Sequence, residues 1–472
     1  MSSRRSFIKY LTAISLFQAY SEHTRARSAG ITDSVSTSIK NAKNAPQSGE
    51  SSWHTPYDYG AAGDGVADDT IALAKMFESG HKLFDLKSGI YLVKIPEKTS
   101  LQIFKEEDGI HIRGKDAILR DRGHYTADAI TAVFTFDACT NCTVSGVNYE
   151  GEPLENPSDP KHGIGYLGAT FINLKNKCSN IEINATLKHC RYGVRSGDYA
   201  DPALGNNRKI KSTLRTYRCG YPVAHYLADE VHVDVYAEDP HRSVYLAGVN
   251  GGTVSAQFKN QYIAPIQVVL TDAKTGDGTS RGCSNLKVQA CDQGSTTFTK
   301  NSWAAGISLS RVDPGTVFEN LDFDILIVSS DNTATTLGAF IINSVAKLYQ
   351  PSYPFNWESS IHLRNIKISG VVNRSNQTLA THGIGEIFIR PDDGVEHAAT
   401  ITSLDFERLQ IISGSGRNPS ALSCIMRNCT NRPTVKYCNF SDYTVDFVSN
   451  PKVPFNFIYC APLRRTSASL LT

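Results

Sequence analysis

Polar and charged side chains recur at regular intervals in the middle of the chain, and their types can do acid–base chemistry. Four of them, spaced by 29, 21 and 22 residues, are His189, Arg218, Asp239 and Gln261. A carboxylate such as Asp239 or its neighbour Glu238 can act as an acid or a base, whereas arginine and glutamine donate hydrogen bonds to hydroxyl or carboxylate groups. These positions are therefore candidates for one functional face.

Further residues of similar type lie close by in the sequence, and a tyrosine among them offers a ring face to a sugar. The mixture suits a saccharide ligand. The candidate catalytic residues are Asp239, Glu238, Asp198, Asp201 and His241. The candidate substrate-binding residues are His189, Arg191, Arg195, Arg218, Arg242, Tyr245, Gln261 and Gln267. The alternative interpretation is a polar ladder that only satisfies the turns of a repeating fold.

Nine short segments that alternate apolar and polar residues indicate such a repeat. They read NCTVSGV, SNIEINA, RKIKSTL, DEVHVDV, GTVSAQF, SNLKVQA, ENLDFDI, RNIKISG and TSLDFER. Their period of two and their content of valine, isoleucine, asparagine and glycine predict strands rather than a helical array. The polar face would thus lie on stacked strands and the turns between them.

The spacing of these segments fits coils of a β-helix. The positions taken as equivalent are Ile181, Ile210, Val231, Val254, Leu286, Leu321, Ile366 and Leu404, at intervals of 29, 21, 23, 32, 35, 45 and 38 residues. The shortest interval fits one coil, and longer ones carry loop insertions. A second apolar position lies 12 or 13 residues after each of the first four, at Val194, Val223, Val244 and Ile266.

This register predicts contacts, because neighbouring rungs of a parallel sheet lie about 4.8 Å apart. Cys190 and Cys219 occupy the same position in successive coils, within the Cα range of a disulfide. A stack of two reduced, inward-facing cysteines fits the same register equally well. Eleven cysteines is an odd number, so at least one thiol stays unpaired. The residues directly after the second apolar position, Arg195, Tyr245 and Gln267 among them, are expected to point outward.

Residues 57–76 read YDYGAAGDGVADDTIALAKM and predict a glycine turn followed by a short helix. We expect Asp68 or Asp69 to cap this helix, and Ile71, Leu73, Ala74 and Phe77 to form its apolar face. The spacing closely resembles the opening segment of the pectate-lyase-like superfamily, which includes rhamnogalacturonase-like and epimerase-like proteins and phage tailspikes. The resemblance implies an all-β, right-handed parallel β-helix that acts on polysaccharides, with the helix as its N-terminal cap.

The reaction is not settled by this resemblance. The paired aspartates and Gly-His-Gly of polygalacturonases are missing, since His162 and His382 keep only His-Gly and Asp392–Asp393 stands apart. No stacked aspartates suggest calcium, so we expect no metal and no cofactor. We expect an exported enzyme that cleaves glycosidic bonds, either a glycoside hydrolase or a polysaccharide lyase. The alternatives are a non-catalytic glycan-binding or exopolysaccharide-assembly protein and a uronosyl epimerase.

The composition and the first residues suggest where the protein acts. A net charge of +2 with 20% charged residues gives no polybasic signature for nucleic acid. Ser3 to Lys9 (SRRSFIK) matches a twin-arginine export signal, which predicts a periplasmic or extracellular location. After signal removal no apolar run is long enough to span a membrane. The predicted organisation is a signal (1–29), a linker (30–52), the β-helix (53–441) and an irregular C-terminal cover (442–472).

Overall fold

The protein is described here from a computed structural model. It describes residues 52–123, 125, 130–153, 168–198, 201–259, 266–292, 302–308, 315–328, 337–343, 361–373, 387–390, 399–401, 403–412, 422–424, 434–436, 439–441 and 456–458. The predicted signal and nearly all of the linker lie outside these residues, as do Gln261, His162, His382 and Asp392–Asp393.

Thirty strands and one α-helix make up the described part of the chain, with two short 3-10 turns at Pro56–Tyr59 and Pro202–Leu204. In chain order the elements are β1 (Asp64–Asp68), α1 (Thr70–Phe77), β2 (Leu83–Asp85), β3 (Ile90–Val93), β4 (Ser100–Lys105), β5 (His111–Asp121), β6 (Ala132–Asp137), β7 (Thr140–Glu150), β8 (Thr170–Lys175), β9 (Ser179–Lys188), β10 (Tyr192–Ser196), β11 (Arg208–Tyr217), β12 (Tyr221–Tyr226), β13 (Asp229–Glu238), β14 (Val244–Ala247), β15 (Asn250–Lys259), β16 (Ile266–Thr271), β17 (Ala273–Lys274), β18 (Ser280–Arg281), β19 (Ser284–Asp292), β20 (Ser302–Ser308), β21 (Val317–Val328), β22 (Leu337–Asn343), β23 (Ile361–Asn373), β24 (Ile387–Arg390), β25 (Ala399–Ile401), β26 (Leu404–Ile412), β27 (Leu422–Cys424), β28 (Thr434–Lys436), β29 (Asn439–Ser441) and β30 (Asn456–Ile458).

Two long parallel sheets contain nearly all of these strands. The second sheet consists of β4, β6, β8, β10, β12, β14, β16, β20, β22, β24 and β27. The first sheet contains the other strands except β17 and β18, which pair with each other as an antiparallel hairpin. From β8 to β16 the chain alternates strictly between the two sheets, and each strand pairs in parallel with the equivalent strand of the next coil. This is the predicted parallel β-helix, and the prediction is confirmed.

Alternating residues place one face of each strand in the core. Along β9 the side chains of Ile181, Ile183, Ala185 and Leu187 are buried and those between them are exposed. The buried faces of both sheets meet in one continuous apolar core. β30, in the segment predicted as an irregular cover, pairs with β28, so the first sheet continues past residue 441.

Two of the predicted register positions are wrong by two residues. Val231 pairs with Gly252 rather than Val254, and Val244 pairs with Val268 rather than Ile266. Gly252 has φ +126°, and a Cβ atom there would lie 1.8 Å from the Val231 carbonyl oxygen, so only glycine fits this rung. The predicted register used apolar residues only, and therefore missed that Gly252 occupies one position of an apolar column.

Helix α1 covers the first coils, as the sequence predicts, and buries Leu73 and Phe77 of the predicted apolar face. Phe77 lies edge-on to Phe84 and Phe134, with ring centroids 5.1 and 5.3 Å away. Ile71, predicted to be buried, is 70% exposed, whereas Met76 is buried, so the helix is rotated relative to the predicted face. No helix in the described residues is long and apolar enough to cross a membrane.

The aspartates of the opening segment are turn and cap residues, as predicted. The Asp68 carboxylate accepts a hydrogen bond from the Thr70 amide at 3.0 Å, at the start of α1. Asp69 stands at the N-cap position, but its carboxylate accepts from the amides of Ala62 and Gly63 at 2.7 and 3.1 Å. These bonds hold the glycine turn closed, so the segment builds the fold.

An asparagine ladder runs along one corner of the β-helix. The side-chain Nδ2 of Asn320 donates to Oδ1 of Asn285 at 2.9 Å, and Oδ1 of Asn320 accepts from Nδ2 of Asn365 at 2.9 Å. All three residues have φ between +51° and +55°, a left-handed conformation that asparagine tolerates better than most residues. The asparagines that lead several predicted strands therefore align the coils.

Replacing Asn320 by alanine should destabilise the protein by about 2–3 kcal/mol, because two hydrogen bonds are lost and alanine resists the left-handed conformation. Urea unfolding followed by circular dichroism measures the change. Asn320→Gly, which keeps the backbone conformation but not the hydrogen bonds, should cost about half as much. Equal and negligible effects of both substitutions would show that the ladder contributes nothing.

Candidate functional site

The predicted polar ladder exists, and it is built from turn residues. His189, Arg218 and Asp239 follow β9, β11 and β13 directly and have φ of +52°, +49° and +49°. Their backbone amides donate to carbonyl oxygens of the next coil at 3.1, 3.0 and 2.9 Å. The three residues thus occupy equivalent places in successive coils, and the fold itself uses them to pass from the first sheet to the second.

The carboxylates of this corner are held in ion pairs. Arg218 Nε lies 3.5 Å from Asp239 Oδ2, and Lys259 Nζ lies 2.8 Å from Glu238 Oε1. The Arg218 guanidinium also lies over the Tyr217 ring, 5.2 Å from its centroid. Asp239 and Glu238 therefore both face cations, an arrangement that suits turn stabilisation better than protonation of a leaving group.

A cluster of four tyrosines covers the adjoining outer face of the second sheet. The Tyr192 and Tyr221 rings stack with centroids 5.0 Å apart. Tyr221 meets Tyr245 edge-on at 6.2 Å, and Tyr226 meets Tyr245 at 5.6 Å. Strands β10, β12 and β14 present these rings on three successive rungs. We call Tyr192, Tyr221, Tyr226 and Tyr245 the tyrosine cluster.

Arg195 lies within the tyrosine cluster. Its guanidinium carbon is 5.7 Å from the Tyr192 ring centroid and 5.9 Å from that of Tyr226, and Nη2 donates to Asp198 at 2.7 Å. The residue points outward, as predicted, but is only 7% exposed. Its Nε atom has no hydrogen-bond partner within the described part of the chain. The Nε atom is itself buried, so an anionic ligand would reach this guanidinium through the small exposed part of the side chain.

The turns that precede β10 and β14 carry Arg191 and the pair His241–Arg242, respectively. The Arg191 guanidinium lies 5.5 Å from the Tyr192 ring centroid. Burial lowers the pKa of His241 to about 4, and the neighbouring Arg242 adds to this shift, so the imidazole is neutral at pH 7. Burial raises the pKa of the Tyr221 phenol, which keeps it protonated. Arg191 and Arg242 thus lie near the protonated Tyr221 phenol, where their charges oppose the rise in its pKa.

Other predicted site residues lie apart from this group. Gln267 is fully buried. Tyr245 pairs on the next rung with Val269, two residues after Gln267, so Gln267 does not occupy the position predicted for it. The Asp201 carboxylate accepts from the Ala203 amide at 3.0 Å and begins a 3-10 turn.

Asp198 and Asp239 are not brought together. Asp239 precedes its second-sheet strand, whereas Asp198 follows β10. The five residues of β10 alone separate the two ends by about 13 Å. The carboxyl groups of a glycosidase lie about 5–9.5 Å apart, so Asp198 cannot complete such a pair with Asp239.

Sequence reasoning missed Tyr192, Tyr221 and Tyr226. Tyr192 and Tyr221 both lie two residues before the second apolar position of their coil, so a column of aromatic residues was present in the sequence.

Within the described ranges, no group of three or more His, Cys, Asp or Glu side chains is arranged to hold a metal ion.

The fold and site define a parallel β-helix with an aromatic and cationic face. No protein-family model and no curated protein matches the sequence. Among solved structures, the chain is similar to the Streptococcus pneumoniae surface protein and adhesin PfbA, with 11% identity over 88% of this chain and 98% of that one and a TM-score of 0.37. It is also similar to the A-module of the Azotobacter vinelandii mannuronan C-5 epimerase AlgE4, with 12% identity, coverage of 87% and 96% and a TM-score of 0.34.

A third similar structure is the catalytic unit of the GH87 alpha-1,3-glucanase from Streptomyces thermodiastaticus strain HF3-3. Its identity is 10%, the coverage is 90% of this chain and 72% of that one, and the TM-score is 0.39. All three are parallel β-helix proteins of the pectate-lyase-like kind.

Proposed function

We propose that this protein binds an acidic polysaccharide across the tyrosine cluster and cleaves it by β-elimination, as a polysaccharide lyase. The observation that carries the proposal is Arg195, a guanidinium between two tyrosine rings, with the Arg191 guanidinium at the same Tyr192 ring. Tyrosine rings pack against the apolar faces of sugars, and a guanidinium binds a carboxylate through paired hydrogen bonds. The sugar that satisfies both is a uronic acid.

The chemistry follows from the same groups. Neutralising the uronate carboxylate with arginine acidifies the adjacent C5 proton, which a base then removes. The candidate base is His241, whose backbone amide donates to the carbonyl of Cys219, two residues before Tyr221, and the candidate acid is the protonated Tyr221 phenol. The C5–H and C4–O bonds break, a C4=C5 double bond forms, and the leaving oxygen takes up a proton. No pair of carboxylates is required.

A glycan-binding protein without catalysis is the second candidate. It is favoured by the ion pairs that engage Asp198, Asp239 and Glu238, since three of the four predicted catalytic carboxylates already have basic partners. Binding would use the same tyrosine cluster. A uronosyl epimerase would share the removal of the C5 proton but return a proton to the opposite face, leaving the polymer intact.

The test is to incubate the purified full-length protein with polygalacturonate, alginate and neutral glucans while following reducing ends and the absorbance of unsaturated uronates. A lyase gives both signals on an acidic polymer and neither on a neutral one. Reducing ends without unsaturated product would reject elimination in favour of hydrolysis. Retention of the parent protein on the polymer without either signal would support the glycan-binding alternative. If the protein is a lyase, the variant His241→Gln should lose turnover but still be retained on the polymer.

Export through the twin-arginine route is a further proposal, since a polysaccharide substrate lies outside the cell. Replacing Arg4 and Arg5 together by lysine should abolish accumulation in the periplasm, because the export machinery reads the arginine pair. Fractionation and immunoblotting of cells that express parent and variant measure this. Replacing Lys9 by arginine is the matched control and should leave export unchanged. Equal periplasmic amounts of the double variant would reject the route.

A further inference from the structure

The thiols of Cys190 and Cys219 lie in contact inside the β-helix, one rung apart, as the register predicts. Their sulfur atoms are 3.0 Å apart and both side chains are fully buried. The Gly220 amide donates to the Cys190 carbonyl at 2.7 Å, which holds the two turns directly above one another. Neighbouring rungs about 4.8 Å apart fall within the Cα range of a disulfide. Little backbone movement is therefore needed to join the two sulfurs.

Other cysteines of the described chain also lie near one another, since Cys139 and Cys178 precede the paired residues Thr140 and Ser179, and Cys139 is hydrogen-bonded to Cys142. Cys139, Cys178 and Cys283 are also fully buried, but each donates to backbone carbonyls, at distances from 3.1 to 3.5 Å. Cys190 instead donates to the Cys219 sulfur. Cys190 and Cys219 occupy equivalent places of two successive turns, and the fold brings their sulfur atoms to 3.0 Å.

We propose that Cys190 and Cys219 form a disulfide that ties two successive coils together at the corner of the candidate site. Each thiol gives up one proton and one electron as the sulfur–sulfur bond forms. The electrons and protons pass to a disulfide oxidant such as oxidised glutathione, which is reduced to two thiols. The bond closes the loop between residues 190 and 219 and restricts the unfolded chain.

The bond would also position site residues, since Cys190 lies between His189 and Arg191 and Cys219 follows Arg218. Burial raises the pKa of the Cys190 thiol well above its usual range, and the Cys219 sulfur adds to this shift. Because the thiolate is the reacting species, the folded, reduced protein oxidises slowly. The disulfide is therefore expected to form while the coils close in the presence of an oxidant.

The test compares full-length protein refolded with oxidised glutathione and with dithiothreitol. The oxidised sample should be lighter by two hydrogen masses and give a peptide pair that links Cys190 to Cys219. Its melting temperature should fall by about 5 °C when dithiothreitol is added. The Cys190→Ala/Cys219→Ala variant should show no such response, whereas Cys283→Ala, a buried thiol without a thiol partner, should respond like the parent.

Alkylation of both Cys190 and Cys219 in oxidised protein that has regained its circular dichroism spectrum would overturn the proposal. If refolding fails, protein expressed in cells with an oxidising cytoplasm, where the chain folds in contact with a disulfide oxidant, and purified without reductant gives the same mass comparison. A linked peptide pair there supports the bond, and two alkylated peptides reject it.

Discussion

Replacing Arg195 by alanine should lower the turnover and the affinity for an acidic polysaccharide at least 100-fold. The guanidinium between Tyr192 and Tyr226 is the group proposed to bind the uronate carboxylate, and two charge-assisted hydrogen bonds contribute about 3 kcal/mol. Each 1.4 kcal/mol corresponds to a factor of about ten. Initial rates and retention on immobilised polygalacturonate or alginate, whichever the parent binds, measure the loss.

Two further variants separate binding from folding. Arg195→Lys keeps a charge that can reach Asp198 but not the planar fork, so it should recover only part of the affinity. Arg215→Ala removes an exposed arginine from the outer face of the first sheet and should behave like the parent. If Arg195→Ala melts like the parent and binds the polymer equally well, the tyrosine cluster is not the binding site.

Replacing His225 by leucine should make the protein more stable, most of all in acid. His225 faces the core in register with Leu246 and is completely buried, and neither ring nitrogen has a hydrogen-bond partner within the described residues. Burial lowers its pKa from 6.5 to about 3. An unpaired buried polar group costs about 1–3 kcal/mol, which leucine, already present on the next rung, removes.

The pH dependence follows from the direction of this pKa shift. Protons bind the unfolded chain more readily than the folded one, so stability is complete above pH 6.5 and falls as the pH drops from 6.5 towards 3. The slope from His225 is about 1.4 kcal/mol per pH unit within that window. His241, whose pKa is lowered to about 4, contributes with the same sign, so the variant should keep part of the parent's slope.

Urea unfolding of parent and variant between pH 7 and pH 4 tests this expectation. The difference in unfolding free energy should widen as the pH falls. His232→Leu removes an exposed histidine on the outer face of the first sheet and should leave the parent's slope unchanged. A constant difference between parent and His225→Leu across the pH range would show that the ring is not held neutral in the core.

The fold was predictable from the sequence because repeating strands leave a period-two pattern, yet the register was wrong at two places. A shift of one residue would move every side chain to the other face, whereas a shift of two keeps each on the same face. The apolar pattern therefore cannot distinguish Gly252 from Val254, or Val268 from Ile266. The Gly251–Gly252 pair was the available sign that an apolar column contains a glycine.

The candidate site was predictable in part. The period of two placed Arg195 and Tyr245 on the outer face, and the coil register placed His189, Arg218 and Asp239 in one column. Burial of Arg195 by rings from its own and the next rung depends on side-chain contacts across strands, which a strand pattern does not contain. The separation of Asp198 from Asp239 depends on the length of β10, which the sequence did not delimit.

The most direct test of the account is a hydrogen–deuterium exchange measurement on the full-length protein with and without oligouronates from the polymer that it retains. We expect slower exchange in β10, β12 and β14, whose residues form the tyrosine cluster. Exchange in strands β9, β11 and β13 of the first sheet should be unchanged. Protection confined to the first sheet, or no protection by any acidic oligosaccharide at saturating concentration, would contradict the proposed site.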